Sequence, residues 1–156
     1  MCGAIANWPR LLTRSITHLR PGGWLELQDY FVLLQSIDGT LEGTALERWN
    51  RLLFEGAGKM GIDGRAAARF AGYLREAGFV DVMERKFALP ANTWAQGHEA
   101  KLLGEMQMTN IIQGLRGIST RLFPKVHGMT MEEVEELLVD TERDLRDTGI
   151  HAYYVV

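Results

Sequence analysis

The sequence has 156 residues, 46% of them hydrophobic, and a formal net charge of −3. That length carries one domain, residues 1–156, around one core, and no face collects Lys or Arg into a stripe, so nucleic-acid binding is disfavoured. No apolar run approaches the ~20 residues of a membrane span, the N-terminus lacks a signal peptide's basic-then-apolar order, and the lone Cys2 supports neither a disulfide framework nor a thiolate metal cluster, so a cytoplasmic or nuclear protein, not a secreted one, is expected.

Asn7 suits an N-cap, and Pro9 sits in the first turn, where a missing N–H costs nothing. Trp8, Leu11, Leu12, Ser15, Ile16 and Leu19 then share one helical face, expected to lie against a sheet. Leu19-Arg20-Pro21-Gly22-Gly23 ends this helix, because proline cannot continue it and the glycines accept φ > 0. From Gly23 to about Leu34 the chain is too apolar for a half-exposed edge and reads as a strand in the middle of a sheet.

Ser36-Ile37-Asp38-Gly39-Thr40 reads as a turn. A second helix, from about Gly43 to Met60, aligns Ala45, Leu46, Trp49, Leu52 and Leu53. Ala67, Phe70, Leu74 and Ala77 line a third, with Asp63 as its cap and Gly78 closing it at C′. Phe79 to Leu89 alternates as a strand, and Pro90 ends it. A longer helix runs from about Gly97 to Leu115 or beyond, with Leu102, Met106, Ile112 and Leu115 inward and Gly104, Gly114 and Gly117 loosening it. Thr130-Met131-Glu132-Glu133 is a capping box, with Met129 and Val134 as the staple. The last helix carries Val134, Leu137, Leu138, Thr141 and Leu145 inward, turns acidic residues to solvent and ends at Gly149. A terminal strand, Ile150 to Val156, follows.

A helix ending in Leu-Arg-Pro-Gly-Gly before an apolar strand resembles the fifth strand of class I S-adenosylmethionine-dependent methyltransferases. Leu74-Arg75-Glu76-Ala77-Gly78-Phe79 resembles the lead-in to their sixth. Asn7-Trp8-Pro9, the Thr130 segment and the closing His151-Ala152-Tyr153 resemble, more narrowly, the fungal methyltransferases of secondary metabolism. The resemblance implies an α/β chain: the C-terminal half of a truncated Rossmann-like methyltransferase fold, with about three strands (the fifth to seventh) and about five helices. It implies that the N-terminal cofactor-binding half is absent. The only Gly-x-Gly, Gly56-Ala57-Gly58-Lys59, follows a helix rather than a strand, so no cofactor-binding residue is assigned. S-adenosylmethionine is expected only if a partner supplies the missing half. Family members also carry a longer last strand than one that stops at Val156. With no fourth strand, the edge from Trp24 to Leu34 is a pairing template, so a homodimer or pairing with a related chain is expected there.

Asp29 and Tyr30 lie near the C-terminal end of that strand, where open α/β sheets place ligands; Asp29 is a catalytic candidate and Tyr30 a substrate contact. Glu26 and Gln28 point to one face of that strand; a buried Glu26 would be an acid–base candidate, and a solvated or surface-paired one is the favoured reading. The family's substrate-covering segment implies a pocket for an apolar substrate lined by Trp94, Met106, Met108 and Tyr153, with His98 and His151 as further catalytic candidates. The competing readings are an anchoring tryptophan, a first-turn histidine and a backbone-bonded one. No His, Asp and Glu set has metal-ligand spacing. Three functions stay open. One is a cofactor-independent cyclase or isomerase acting on an apolar metabolite. The second is a methyltransferase completed by a partner chain or a missing segment. The third is a non-catalytic interaction module.

Overall fold

Three amphipathic helices generate most of the core. In the computed structural model, which describes residues 5–156, the order is α1 (Trp8–His18), α2 (Ala45–Lys59), α3 (Phe70–Glu76), β1 (Ala88–Pro90), α4 (His98–His127), α5 (Met131–Arg146) and β2 (Tyr153–Val155). Cys2 lies outside the described residues. Helices α2, α4 and α5 pack pairwise, burying Leu46, Trp49, Leu115, Phe123, Val134 and Leu145. The Trp49 indole N–H donates to Ser119 Oγ at 2.8 Å, so this ring enters the core with its polar atom satisfied.

The local signals act as their chemistry requires. Asn7 Oδ1 accepts from Arg10 N at 2.9 Å. Thr130 and Glu133 form the reciprocal capping box of α5. Gly78, at φ +97°, ends α3, with Phe79 N bonded to Leu74 O and Gly78 N to Arg75 O. That pair of bonds closes the orphan carbonyls at a helix C-terminus.

Helix α1 does not lie on the sheet. It packs on α3, where Trp8 and Phe70 have ring centroids 4.5 Å apart in a separate small core with Ala66. Helix α4 runs on to His127, with Pro124 inside it; the proline has no N–H to give the carbonyl of Thr120, four residues back. Leu102 and Met106 are not inward but 49% and 62% exposed. The inward face follows Gly104, Ile111, Leu115, Ser119 and Leu122, and Gly104 is on it because the 91–93 loop packs there: a Cβ would stand 2.0 Å from Asn92 O. Helix α5 ends at an extended Asp147, not at Gly149.

The sheet is smaller than the sequence suggests. β1 and β2 pair antiparallel, with Leu89 opposite Tyr154. On β2's other edge, one antiparallel bridge joins Gln35 to Tyr153, and Phe31 N donates to Val155 O at 2.8 Å. Two strands and a bridge stand where about three strands are expected. The run after the Pro-Gly-Gly corner forms no strand over residues 23–30, and the second expected strand forms only at Ala88–Pro90. The reason is partnership. A strand needs a ladder on at least one side, and among the described residues no backbone bond reaches residues 24–28 or 80–86.

Asn50 repairs the irregular edge. Continuing the Gln35–Tyr153 register would set Leu33 opposite Val155, yet Phe31 holds that place. The bend at Val32 and Leu33 frees backbone groups in the interior. The Asn50 amide, 2% exposed, takes both: it accepts from Leu34 N at 2.8 Å and donates to Val32 O at 2.9 Å.

Candidate functional site

The loop 36–40 and the start of the C-terminal segment meet around one carboxylate. Ser36 Oγ donates to Asp38 Oδ1 at 2.7 Å, and Thr40 Oγ1 donates to the same oxygen at 2.8 Å. The second oxygen, Oδ2, lies 2.5 Å from His151 Nδ1. The backbone N–H of His151 donates to Thr40 Oγ1 at 2.9 Å, which fixes the histidine to the same loop. Ser36, then Thr40 and His151, hold the Asp38 carboxyl well below the usual carboxylate range.

A carboxylate only accepts, so Nδ1 is the donor and the neutral ring carries its lone pair on Nε2. Among the described residues no hydrogen bond occupies that Nε2. Trp94 covers one face of the imidazole at 5.0 Å between centroids. It is held by its indole N–H to Ala152 O (2.8 Å) and its backbone N–H to Asn92 Oδ1 (2.9 Å). Asn92 is itself fully buried and donates to Asp147 O and Ile150 O. The arrangement is an oriented base beside an apolar wall, with its two acid–base side chains half-exposed.

The expected site residues do not converge on one pocket. His151 and Trp94 come together. His98 is the first residue of α4 and exposed, Met106 is exposed, and Met108 packs on the core. Tyr153 bridges to Gln35 through backbone bonds. Asp29 lines a different cavity of ≈ 1280 Å³ between residues 22–31 and 79–87, where its Oδ1 accepts from Tyr30 N at 3.0 Å. Tyr30 stacks edge-on against Tyr154 at 5.3 Å. Burial, then Tyr30 beside it, pushes the Tyr154 phenol above its usual range.

Sequence reasoning missed Ser36, Asp38 and Thr40 as site residues, reading them as a turn. Their spacing does carry the signal of an Asp that collects hydroxyls; the histidine it serves lies 113 residues away. Neither glycine of Gly56-Ala57-Gly58 forms a loop. Both lie within α2, and a Cβ at Gly56 would meet Leu122 at 3.0 Å. The loop from β1 to α4 carries one glycine, Gly97, which is the N-cap of α4. No three acidic, His or Cys side chains group to hold a metal among the described residues, and no helix there is long and apolar enough to cross a membrane.

Comparison with known proteins gives a consistent answer. The chain is 35% identical over 149 residues to the probable methyltransferase tdiE of Emericella nidulans, covering 95% of this chain and 47% of that protein. It is 33% identical over 155 residues to the methyltransferase pytC of Aspergillus terreus, covering 99% and 48%. It is 28% identical over 159 residues to the secondary metabolism regulator laeA of Monascus pilosus, covering 99% and 42%. No family model matches the chain, and no solved structure matches it significantly. Nearly all of this chain is thus homologous to fungal methyltransferases, and it spans about half the length of the curated relatives it matches.

Proposed function

We propose that this chain, homologous to fungal methyltransferases, is a methyltransferase-like protein of secondary-metabolite biosynthesis that does not hold S-adenosylmethionine by its own residues. In this reading it corresponds to the back half of a Rossmann-like fold. It acts on an apolar small molecule by acid–base chemistry at His151. The observation that carries the reading is the Asp38–His151 pair against Trp94. Asp38 fixes the ring, Nε2 takes a proton from a substrate stacked near Trp94, and the same nitrogen returns it at another atom of that substrate. Bonds and protons balance as an isomerisation or cyclisation, with no electrons gained or lost.

A second reading is favoured by coverage. The chain matches only 47% and 48% of tdiE and pytC, so a partner chain or further segment would complete a site for S-adenosylmethionine and the protein would work as one half of a methyltransferase. Homodimerisation through residues 24–34 fits either reading, since Trp24 is 78% exposed. The experiment is to incubate the protein with extracts of a producing fungus and follow metabolites by mass. A product of unchanged mass, lost in His151→Gln, supports the isomerase. A gain of one methyl that needs added S-adenosylmethionine supports the second reading. No product in either case leaves the non-catalytic interaction module and overturns both.

A further inference from the structure

Folding gathers cations that the sequence keeps apart. The unit built on α1 and α3, residues 5–23 and 62–79, carries Arg10, Arg14, Arg20, Arg65, Arg69 and Arg75 against two acids, Asp63 and Glu76. Outside it, acids outnumber cations by eighteen to eleven. Arg65 and Arg69 are engaged within the molecule: Arg65 lies 5.3 Å over the Phe54 ring, and Arg69 pairs with Asp63. Arg10 and Arg14 are exposed and make no ion pair among the described residues. Four residues apart, they share the side of α1 opposite the buried Trp8 and Leu12. The helix itself gains nothing from them. Its first turn holds no acid, Arg10 there opposes the macrodipole, and two like charges at this spacing repel.

Helix α5 presents the complement. Of its seven acids, Glu135 pairs with Arg116, Asp140 and Asp144 with Arg143, Glu142 with Arg146, and Glu133 closes the capping box. Glu132 and Glu136 are exposed and make no ion pair among the described residues. They lie opposite the buried Val134, Leu137 and Leu145, also four residues apart, so both rows repeat at about 6 Å along their helices. The dipole at the start of α5 accounts for Glu132, but its effect fades within the first turn and does not reach Glu136. Helix α1 packs on α3, while α5 packs on α2 and α4. No ion pair joins the two rows within the molecule.

We propose that the outer face of α1, at Arg10 and Arg14, is an interaction surface for α5 of a second copy of this chain, which meets it with Glu132 and Glu136. The two rows are opposite in sign and equal in spacing. A phosphate polymer would meet the same arginines but would be repelled by the acid-rich remainder of the molecule. A second copy brings its acidic helix to the one basic unit instead. The contact joins unlike surfaces, so it builds rings or chains. Exposed ion pairs each add little, so the association is weak. It fades as salt shortens the Debye length from ~30 Å at 0.01 M to ~3 Å at 1 M. It uses neither residues 24–34 nor His151 and is independent of the acid–base reading.

Sedimentation equilibrium of the full chain tests this. At about 0.01 M salt the weight-average mass should climb above the 17.6 kDa monomer as concentration rises, and the association constant should fall at least about tenfold by 1 M. Two double variants reverse one row each: Arg10→Glu with Arg14→Glu, and Glu132→Arg with Glu136→Arg. Each alone should associate at least about tenfold more weakly than the wild type, with far-UV circular dichroism unchanged. Mixed in equal amounts, they should associate again, because each offers the charge that the other has lost. Monomer mass at every salt concentration, association that neither reversal weakens, or no recovery in the mixture would each overturn the proposal. So would saturable binding of a single-stranded oligonucleotide that needs Arg10 and Arg14, in a chain that does not self-associate.

Discussion

His151 Nδ1 and Asp38 Oδ2 stand 2.5 Å apart across 113 residues of sequence. This contact, with the His151 N–H to Thr40 Oγ1, fixes the imidazole to the surface loop 36–40. It also sets a pH dependence. The folded pKa of Asp38 is depressed from 3.8, so its contribution to stability is present above that value and is lost as pH falls toward the folded one. Asp38→Asn should lower Tm at pH 7, and the gap from the wild type should close as the pH is taken below about 4. A gap independent of pH would mean that the carboxylate's charge plays no part.

Asn50→Ala should be costly. It strips a partner from the Leu34 N–H and the Val32 C=O at once, and each orphaned buried group costs roughly 1–3 kcal/mol. We expect a loss of about 3 kcal/mol by chemical denaturation. A loss below about 0.5 kcal/mol would show that water replaces the amide at no cost.

Two glycines of α4 should answer oppositely to alanine. Gly104→Ala drives a Cβ to 2.0 Å from Asn92 O, a backbone clash expected to destabilise by about 3 kcal/mol or more. At Gly117 nothing lies within 4 Å, so Gly117→Ala should stabilise by about 0.5–1 kcal/mol through helix propensity alone. Thermal melts of the two variants side by side decide it, and matching shifts would refute the close packing of the 91–93 loop.

Tyr154 supplies the alkaline counterpart. Its folded pKa is raised above 10.0 by burial, so its contribution is complete below that pH and is lost as the pH rises through the folded value. Ultraviolet titration should show one phenol ionising last and together with unfolding. Tyr154→Phe should remove that coupling.

What was legible in the sequence follows the range of the forces involved. Caps and faces are local, so Asn7, Thr130 with Glu133, and Gly78 were readable, as were the five helices. The extended runs were read from their apolar alternation, but a strand is a relation between two runs, and no sequence pattern at 24–30 or 79–87 says whether a neighbour is present. Helix α4 misled for the same reason: Gly104 looked like a weak point and is the place where Asn92 packs. In the site, His151 and Trp94 were nominated separately. Their meeting at Asp38 depends on the loop 36–40 folding over the C-terminal segment, which is a long-range fact.

The central claim is that these 156 residues do not by themselves hold the methyl donor. Isothermal titration of the purified chain with S-adenosylmethionine tests it directly. The account predicts no saturable heat up to about 1 mM, a binding free energy weaker than roughly 4 kcal/mol. One-to-one binding in the micromolar range would contradict it.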